Sequence, residues 1–204
     1  MSPTKVPATR HVLLLRGVNV GGHKKVPMAD LRKMLAGLGY ARVLTLLNSG
    51  NAVFDVPRPA STAKIAAACE AAIATAFGFS ARSFVLPAAD VDRVVAGNPL
   101  PARVDQPSRL LVAFLRTAGD AARLAPLVAG SWGEDELGVG SLAAYLWCQD
   151  GVSQSELPDA VGRAVKDDVT MRNWATVLKL QALCRDDSTA PRSRVAKAAK
   201  TARA

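Results

Sequence analysis

Residues 12–39 read Val-Leu-Leu-Leu-Arg-Gly-Val-Asn-Val-Gly-Gly-His-Lys-Lys-Val-Pro-Met-Ala-Asp-Leu-Arg-Lys-Met-Leu-Ala-Gly-Leu-Gly, and their periodicity changes once. Val12–Leu15 is a short unbroken apolar run, suited to a buried strand. Pro27 stands where a helix opens, because its missing N–H is one that a first turn leaves unpaired anyway. Met28, Leu31, Met34, Leu35 and Leu38 then recur at helical spacing, and Gly39 is placed to close the helix. A strand that runs through a glycine-rich loop into a helix begins a βαββαβ unit.

The next segments complete that unit. Arg42–Leu47 and Ala52–Val56 flank Asn48-Ser49-Gly50-Asn51, residue types that suit a hairpin turn. Ser61 or Thr62 caps a second helix, in which Ile65, Cys69, Ile73 and Phe77 form an i, i+4 stripe that Gly78 ends. Arg82–Leu86 is the last strand. A helix carrying Val91, Val94 and Val95 follows, then a linker with Pro99, Pro101 and Pro107.

The same order of elements then returns. A strand is expected over 110–115, a helix over 120–128 and a hairpin of 134–139 with 142–148, turning at Gly140-Ser141. A helix capped by Ser155 runs to Val165, and a strand covers 168–171. An extra helix over 173–184, with Thr170 as its cap, turns Trp174, Val177 and Leu178 inward. The fold class expected is α+β, two tandem ferredoxin-like (βαββαβ) subdomains with an extra C-terminal helix. The boundaries are a flexible leader at 1–10, the first subdomain with its linking helix at 11–97, and a Pro-rich linker at 98–108. The second subdomain with the C-terminal helix occupies 109–187, and a disordered basic tail 188–204.

Bulk composition narrows the class. Hydrophobic residues make up 50% and charged residues 21% of the 204, the profile of a globular chain that buries a core. No apolar run approaches the ~18 residues of a membrane helix, and Val12–Leu15 is too short for a signal-peptide core. A cytoplasmic protein with no membrane contact is expected. Cys69, Cys148 and Cys184 lack CxxC spacing, which argues against a disulfide framework or a zinc site. Of 26 basic residues, five (Arg192, Arg194, Lys197, Lys200, Arg203) lie after Asp187, leaving 21 against 17 acidic ones in the rest. That tail is too polar to bury a core. Its charge would draw nucleic acid weakly and without sequence preference, or it is a solvated extension.

The loop after the first strand carries the chemistry. Gly17, Gly21 and Gly22 let backbone N–H groups approach a ligand, Arg16, Lys24 and Lys25 supply positive charge, and a helix start lies close by. Together they suit an anion pocket; the bland alternative is a structural glycine turn with solvated lysines. A Walker-type ATPase is excluded, since His23 stands where the lysine belongs and no hydroxyl residue follows Lys24. Ser49 lacks a nucleophile elbow, and His11 and His23 are the only histidines. No metal-ligand set is visible, and the acidic clusters 134–136, 167–168 and 186–187 are expected to be solvated. Trp174 and Trp147 read as core residues whose indole N–H finds a backbone partner. An RNA-recognition platform is missing, because Phe54 is the one aromatic in the strands it would need.

These residues resemble a known family. Leu-Leu-Arg-Gly-Val-Asn-Val-Gly-Gly-His-Lys-Lys-Val-Pro-Met-Ala-Asp-Leu-Arg (14–32) is similar to the opening signature of the bacterial domain of unknown function 1697. Ser-Gly-Asn (49–51) before an apolar strand resembles its second motif, and Thr-Met-Arg-Asn-Trp-Ala-Thr-Val-Leu-Lys-Leu (170–180) its third. The resemblance implies two tandem ferredoxin-like subdomains and brings no assigned activity or catalytic residues with it. Asn48 replaces the glutamine usual before Ser-Gly-Asn. Ser153 and Glu156 stand where glycine and lysine are expected, which weakens that second-half loop as an anion site.

No catalytic residue, metal ligand or cofactor is therefore expected, because no acid–base pair or activated nucleophile is visible. The leading expectation is a module that binds a phosphorylated small molecule or nucleotide. Arg16, Gly17, Asn19, Gly21, Gly22, Lys24, Lys25, Ser49, Asn51, Arg172 and Asn173 form its candidate site. In it Arg172 and Asn173 hydrogen-bond the anion from the first turn of the last helix. The rivals are nonspecific nucleic-acid binding through a basic face and tail, and a structural scaffold or homodimer without a ligand.

Overall fold

The computed structural model describes residues 8–166 and 168–186. The first seven residues of the expected leader, Asp167, Asp187 and the basic tail lie outside the described residues.

The chain runs β1 (Thr9–Leu15), α1 (Met28–Gly37), β2 (Ala41–Leu46), β3 (Asn51–Val56), α2 (Thr62–Phe77), β4 (Ser83–Pro87) and α3 (Ala88–Ala96). After a single 3-10 turn at Pro101–Arg103 come β5 (Leu110–Leu115), α4 (Ala118–Arg123), α5 (Ala125–Val128), β6 (Glu136–Val139), β7 (Ala143–Trp147), α6 (Leu157–Ala164), β8 (Val169–Asn173) and α7 (Trp174–Arg185). The fold is mixed α+β, with two four-stranded sheets ordered β2-β3-β1-β4 and β6-β7-β5-β8. Every strand pair is antiparallel. Among the described residues no helix is long and apolar enough to cross a membrane.

Five layers result. Helices α1 and α2 cover one face of the first sheet, where Leu13, Leu15, Phe54, Leu31, Ile65 and Ile73 meet. Helices α4 to α6 cover one face of the second, packing Leu124, Leu157 and Val161 against Leu111 and Leu146. Between the sheets lie α3 and α7, and one cluster there joins Val12, Leu14 and Phe84 to Val112, Tyr145, Trp147, Trp174 and Val177. An antiparallel sheet usually alternates apolar and polar residues because one face is wet. Val12–Leu15 does not alternate, because both faces of β1 are covered.

Five local expectations are corrected. The helix expected over 120–128 starts earlier and breaks in two. Thr117 N–H donates to Asp120 Oδ2 at 2.8 Å, a capping arrangement, and Pro126 opens α5, where its ring cannot continue a preceding turn. Thr170 is not a helix cap but a buried residue of β8; Asn173 caps α7 instead. Leu178 is 40% exposed, because the inward stripe Trp174, Val177, Leu180 leaves it outside at 3.6 residues per turn. The acidic clusters are also more engaged than expected: Glu136 pairs with Arg103, Asp135 accepts from Gln149 N, and Asp168 pairs with Arg82 and Arg116. The Trp147 indole donates to the Gln149 side chain rather than to backbone.

Candidate functional site

The root of the glycine loop is held on both sides. Leu15 N–H donates to Gly50 O at 2.9 Å and Arg16 N–H to Arg82 O at 3.0 Å, so the chain leaves the sheet only at Gly17. Asn19, with φ of 58°, then closes the loop on itself. Its Oδ1 accepts from Val26 N at 2.8 Å, and its Nδ2 donates to Val26 O at 3.0 Å and Asn48 O at 2.5 Å. Beyond it, His23 N–H donates to Val20 O across Gly21 and Gly22, whose φ values are 61° and 79°. Two consecutive positive φ angles are what a tight two-residue hairpin turn demands. Those two glycines therefore have a backbone reason to be there. Lys24 Nζ donates to Ser80 O at 3.1 Å, and Lys25 is exposed. Among the described residues the amides of Gly17, Gly21 and Gly22 have no hydrogen-bond partner.

The second and third motifs meet this root from the other half of the chain. Arg172 lies in β8, not in the first turn of α7. Its guanidinium has five N–H donors, and each one is used. Nε donates to Asn51 Oδ1 at 2.6 Å, Nη1 to Thr170 Oγ1 at 3.0 Å and Met171 O at 2.7 Å, and Nη2 to Leu15 O at 2.8 Å and Ser49 O at 3.0 Å. Burial lowers this guanidinium to about 10, so it stays charged at neutral pH. Asn51, fully buried, also donates to Leu46 O and Ser49 Oγ. Asn173 Oδ1 accepts from both Thr176 N and Thr176 Oγ1. Asn19, Asn51, Arg172 and Asn173 were expected to face an anion; the fold commits their polar groups internally. Ser49 is exposed, with its Oγ taken by Asn51.

Arg16 and Gly17 border two clefts. One, of about 410 Å³, is lined by Lys24, Glu70 and Ser80–Arg82. The other, of about 450 Å³, is lined by Val20, by Asp159 and Arg163 of α6, and by residues 169–172 of β8, Arg172 among them. Beside them a chain of ion pairs ties the halves together. Arg82 and Arg116 share Asp168, the latter at 3.6 Å, and Arg116 reaches Glu70 at 3.4 Å. Sequence reasoning missed Glu70, Arg82, Arg116, Arg163 and Asp168. None of them stands in a motif, and only the folded chain brings them together.

A family model described as "Protein of unknown function (DUF1697)" matches residues 8–145. Among solved structures, the chain is similar to the conserved bacterial protein SP0830 from Streptococcus pneumoniae, at 25% identity and a TM-score of 0.72. That match covers 88% of this chain and 100% of the other. No curated protein matches.

Proposed function

Since the chain belongs to the family described as protein of unknown function (DUF1697), we propose that it binds a phosphate-bearing small molecule, a nucleotide or phosphosugar, in the clefts beside Arg16-Gly17. The observation that carries this reading is the meeting of two clefts at one arginine and one unpartnered glycine amide. Among the described residues that line the first cleft, Arg16, Lys24 and Arg82 stand with one carboxylate, Glu70, which already accepts from Ser83 N, while Arg82 also pairs with Asp168 outside it. Arg16, Arg163 and the internally bonded Arg172 line the second against Asp159. Each volume falls within the range of about 300–1,000 Å³ usual for small-molecule sites, and the charge favours an anion.

The roles differ from those the motifs suggest. Arg16, Lys24 and the Gly17 amide meet the ligand. Arg172 and Asn51 fix the root from which they project. Each half, with strand order 2-3-1-4 and element order βαββαβ, reads as a ferredoxin-like unit, and the site lies where the two units adjoin. Calorimetric titration of nucleotides and phosphosugars tests the proposal. Heat of binding is expected for the native chain, with a loss of at least about tenfold in affinity on Arg16→Ala combined with Lys24→Ala. Equal heats from both proteins, or none from either, would discard it.

One observation favours a second reading, a structural scaffold without a ligand. The five donors of Arg172 are satisfied entirely within the chain, as an inter-subdomain pin requires and an anion site does not. Under that reading the same titrations are silent.

A further inference from the structure

A third cleft, of about 270 Å³, adjoins the anion site along β4. Ser80–Arg82 line the anion cleft and Ser83–Pro87 line this one, while Glu70 lines both. The walls are mixed: Ala63, Ala66 and Ala67 of α2 stand with Phe84 and, from the second half, Phe114, while Thr62, Asp90 and Arg116 add polar groups beside Glu70 and Ser83. The Arg116 guanidinium lies 5.7 Å from the centre of the Phe84 ring.

Its polar chemistry is incomplete. Ser83 is 1% exposed, and its Oγ has no hydrogen-bond partner, a condition shared among the described buried side chains only by Arg10 Nε. A buried hydroxyl left alone is costly, and native structures rarely keep one without a reason. Glu70 Oε1 accepts from Ser83 N at 2.9 Å and from Arg116 Nη2 at 3.4 Å, which leaves Oε2 to accept from something else. An unpartnered hydroxyl and a carboxylate oxygen, set among alanines and phenylalanines, match the edge and faces of a flat heterocycle.

We infer that this cleft takes the amine-bearing base of a nucleoside 5′-monophosphate whose phosphate sits at Arg16, Gly17 and Lys24. Ser83 Oγ bonds a ring nitrogen, and Glu70 Oε2 accepts from the exocyclic amine. The three extended steps from Arg82 to Val85 span about 10 Å, which suits the reach of a mononucleotide. This inference rests on the anion-binding reading above and narrows it from any phosphate ester to a nucleotide.

Calorimetry on the full chain with adenosine 5′-monophosphate and with ribose 5-phosphate separates the two. The nucleotide is expected to bind at least about tenfold more tightly, the gain that stacking and edge bonding of one base bring. Ala67→Leu, which fills the cleft from an exposed position on α2, is expected to remove that advantage and leave ribose 5-phosphate affinity unchanged. Ser83→Ala is expected to lower it several-fold, with circular dichroism confirming that both variants fold. Equal affinity of the two ligands for the native chain, or an advantage that survives Ala67→Leu, would overturn the base site while the phosphate site stands. If neither ligand binds, both proposals fall together.

Discussion

A guanidinium presents five N–H groups in one plane, and at Arg172 the fold supplies five oxygens to meet them, three of which belong to the other half of the chain. No carboxylate is among these partners, so the charge is balanced by dipoles of Leu15, Ser49, Asn51, Thr170 and Met171. Lysine offers three donors on a point charge and no fork. Arg172→Lys is thus expected to leave at least two of these acceptors unpaired, at about 1–3 kcal/mol for each buried one. Urea denaturation reads the loss, and a variant as stable as the native chain would show that the fork holds nothing. Little of this is visible in the sequence. Arg16, Gly17 and Lys24 stand together in one glycine-rich, basic stretch that local reading picks out. The partners of Arg172 lie up to 157 residues away, and no local spacing encodes them. The same holds for Asn19: its residue type suits a loop, but that its amide closes the loop on Val26 depends on a φ of 58° that only the fold reveals.

At the scale of elements, periodicity and punctuation carried most of the information. Met28 to Leu38, and Ile65 to Ile73, fall on one helical face because each helix covers one sheet, and Ser61 and Gly78 bound α2 as caps. The pattern failed where two signals competed. Apolar spacing across 120–128 outweighed Pro126, yet the proline divides the segment. Thr170 and Asn173 both suit a cap, and pairing of Thr170 with Phe114 in the second sheet decides for Asn173. Helix α7 depends on that cap more than most, since it is packed between two sheets and its direction positions Trp174, Val177 and Leu180 together. Asn173→Ala removes the acceptor for Thr176 N and leaves the Thr176 hydroxyl without it as well. A loss of about 1–2 kcal/mol is expected, read as a lower denaturation midpoint with an unchanged m-value. Asn173→Asp, which keeps the acceptor and adds favourable charge at the helix start, is expected to recover most of it.

At the scale of the molecule, the central cluster belongs to both halves, so neither sheet keeps its inner face dry without the other. Two like orders of elements suggest two separable domains, but the apolar residues that α3 and α7 cover are drawn from both. The halves are therefore expected to answer pH as one body. Burial raises Cys69, between the first sheet and α2, to about 12, and Cys184, on α7, to about 11; Cys148, in the second half, is raised too. In each case the folded state favours the neutral thiol, whereas the unfolded chain ionises near 9. Stability from these groups is full below pH 9 and is lost as pH climbs towards the folded values, because the unfolded state then holds fewer protons. Arg172 acts in the opposite sense, since its folded value of about 10 lies below the ordinary 12.5; its contribution to stability rises with pH, but only above about 10. From pH 8 to pH 10 the thiols dominate, since Tyr40 and Tyr145, which burial also raises from 10, add to the loss only near the upper end. Cys69 alone accounts for roughly 1 kcal/mol of loss across that interval. Denaturation followed by tryptophan fluorescence reports the second half, where Trp132, Trp147 and Trp174 all lie, while far-ultraviolet circular dichroism reports both. Both midpoints are expected to fall together from pH 8 to pH 10, and Cys69→Ala is expected to shallow the fall for both probes, although the thiol lies in the first half. Fluorescence midpoints that ignore Cys69→Ala while circular dichroism responds would mean that the central layer does not couple the two sheets.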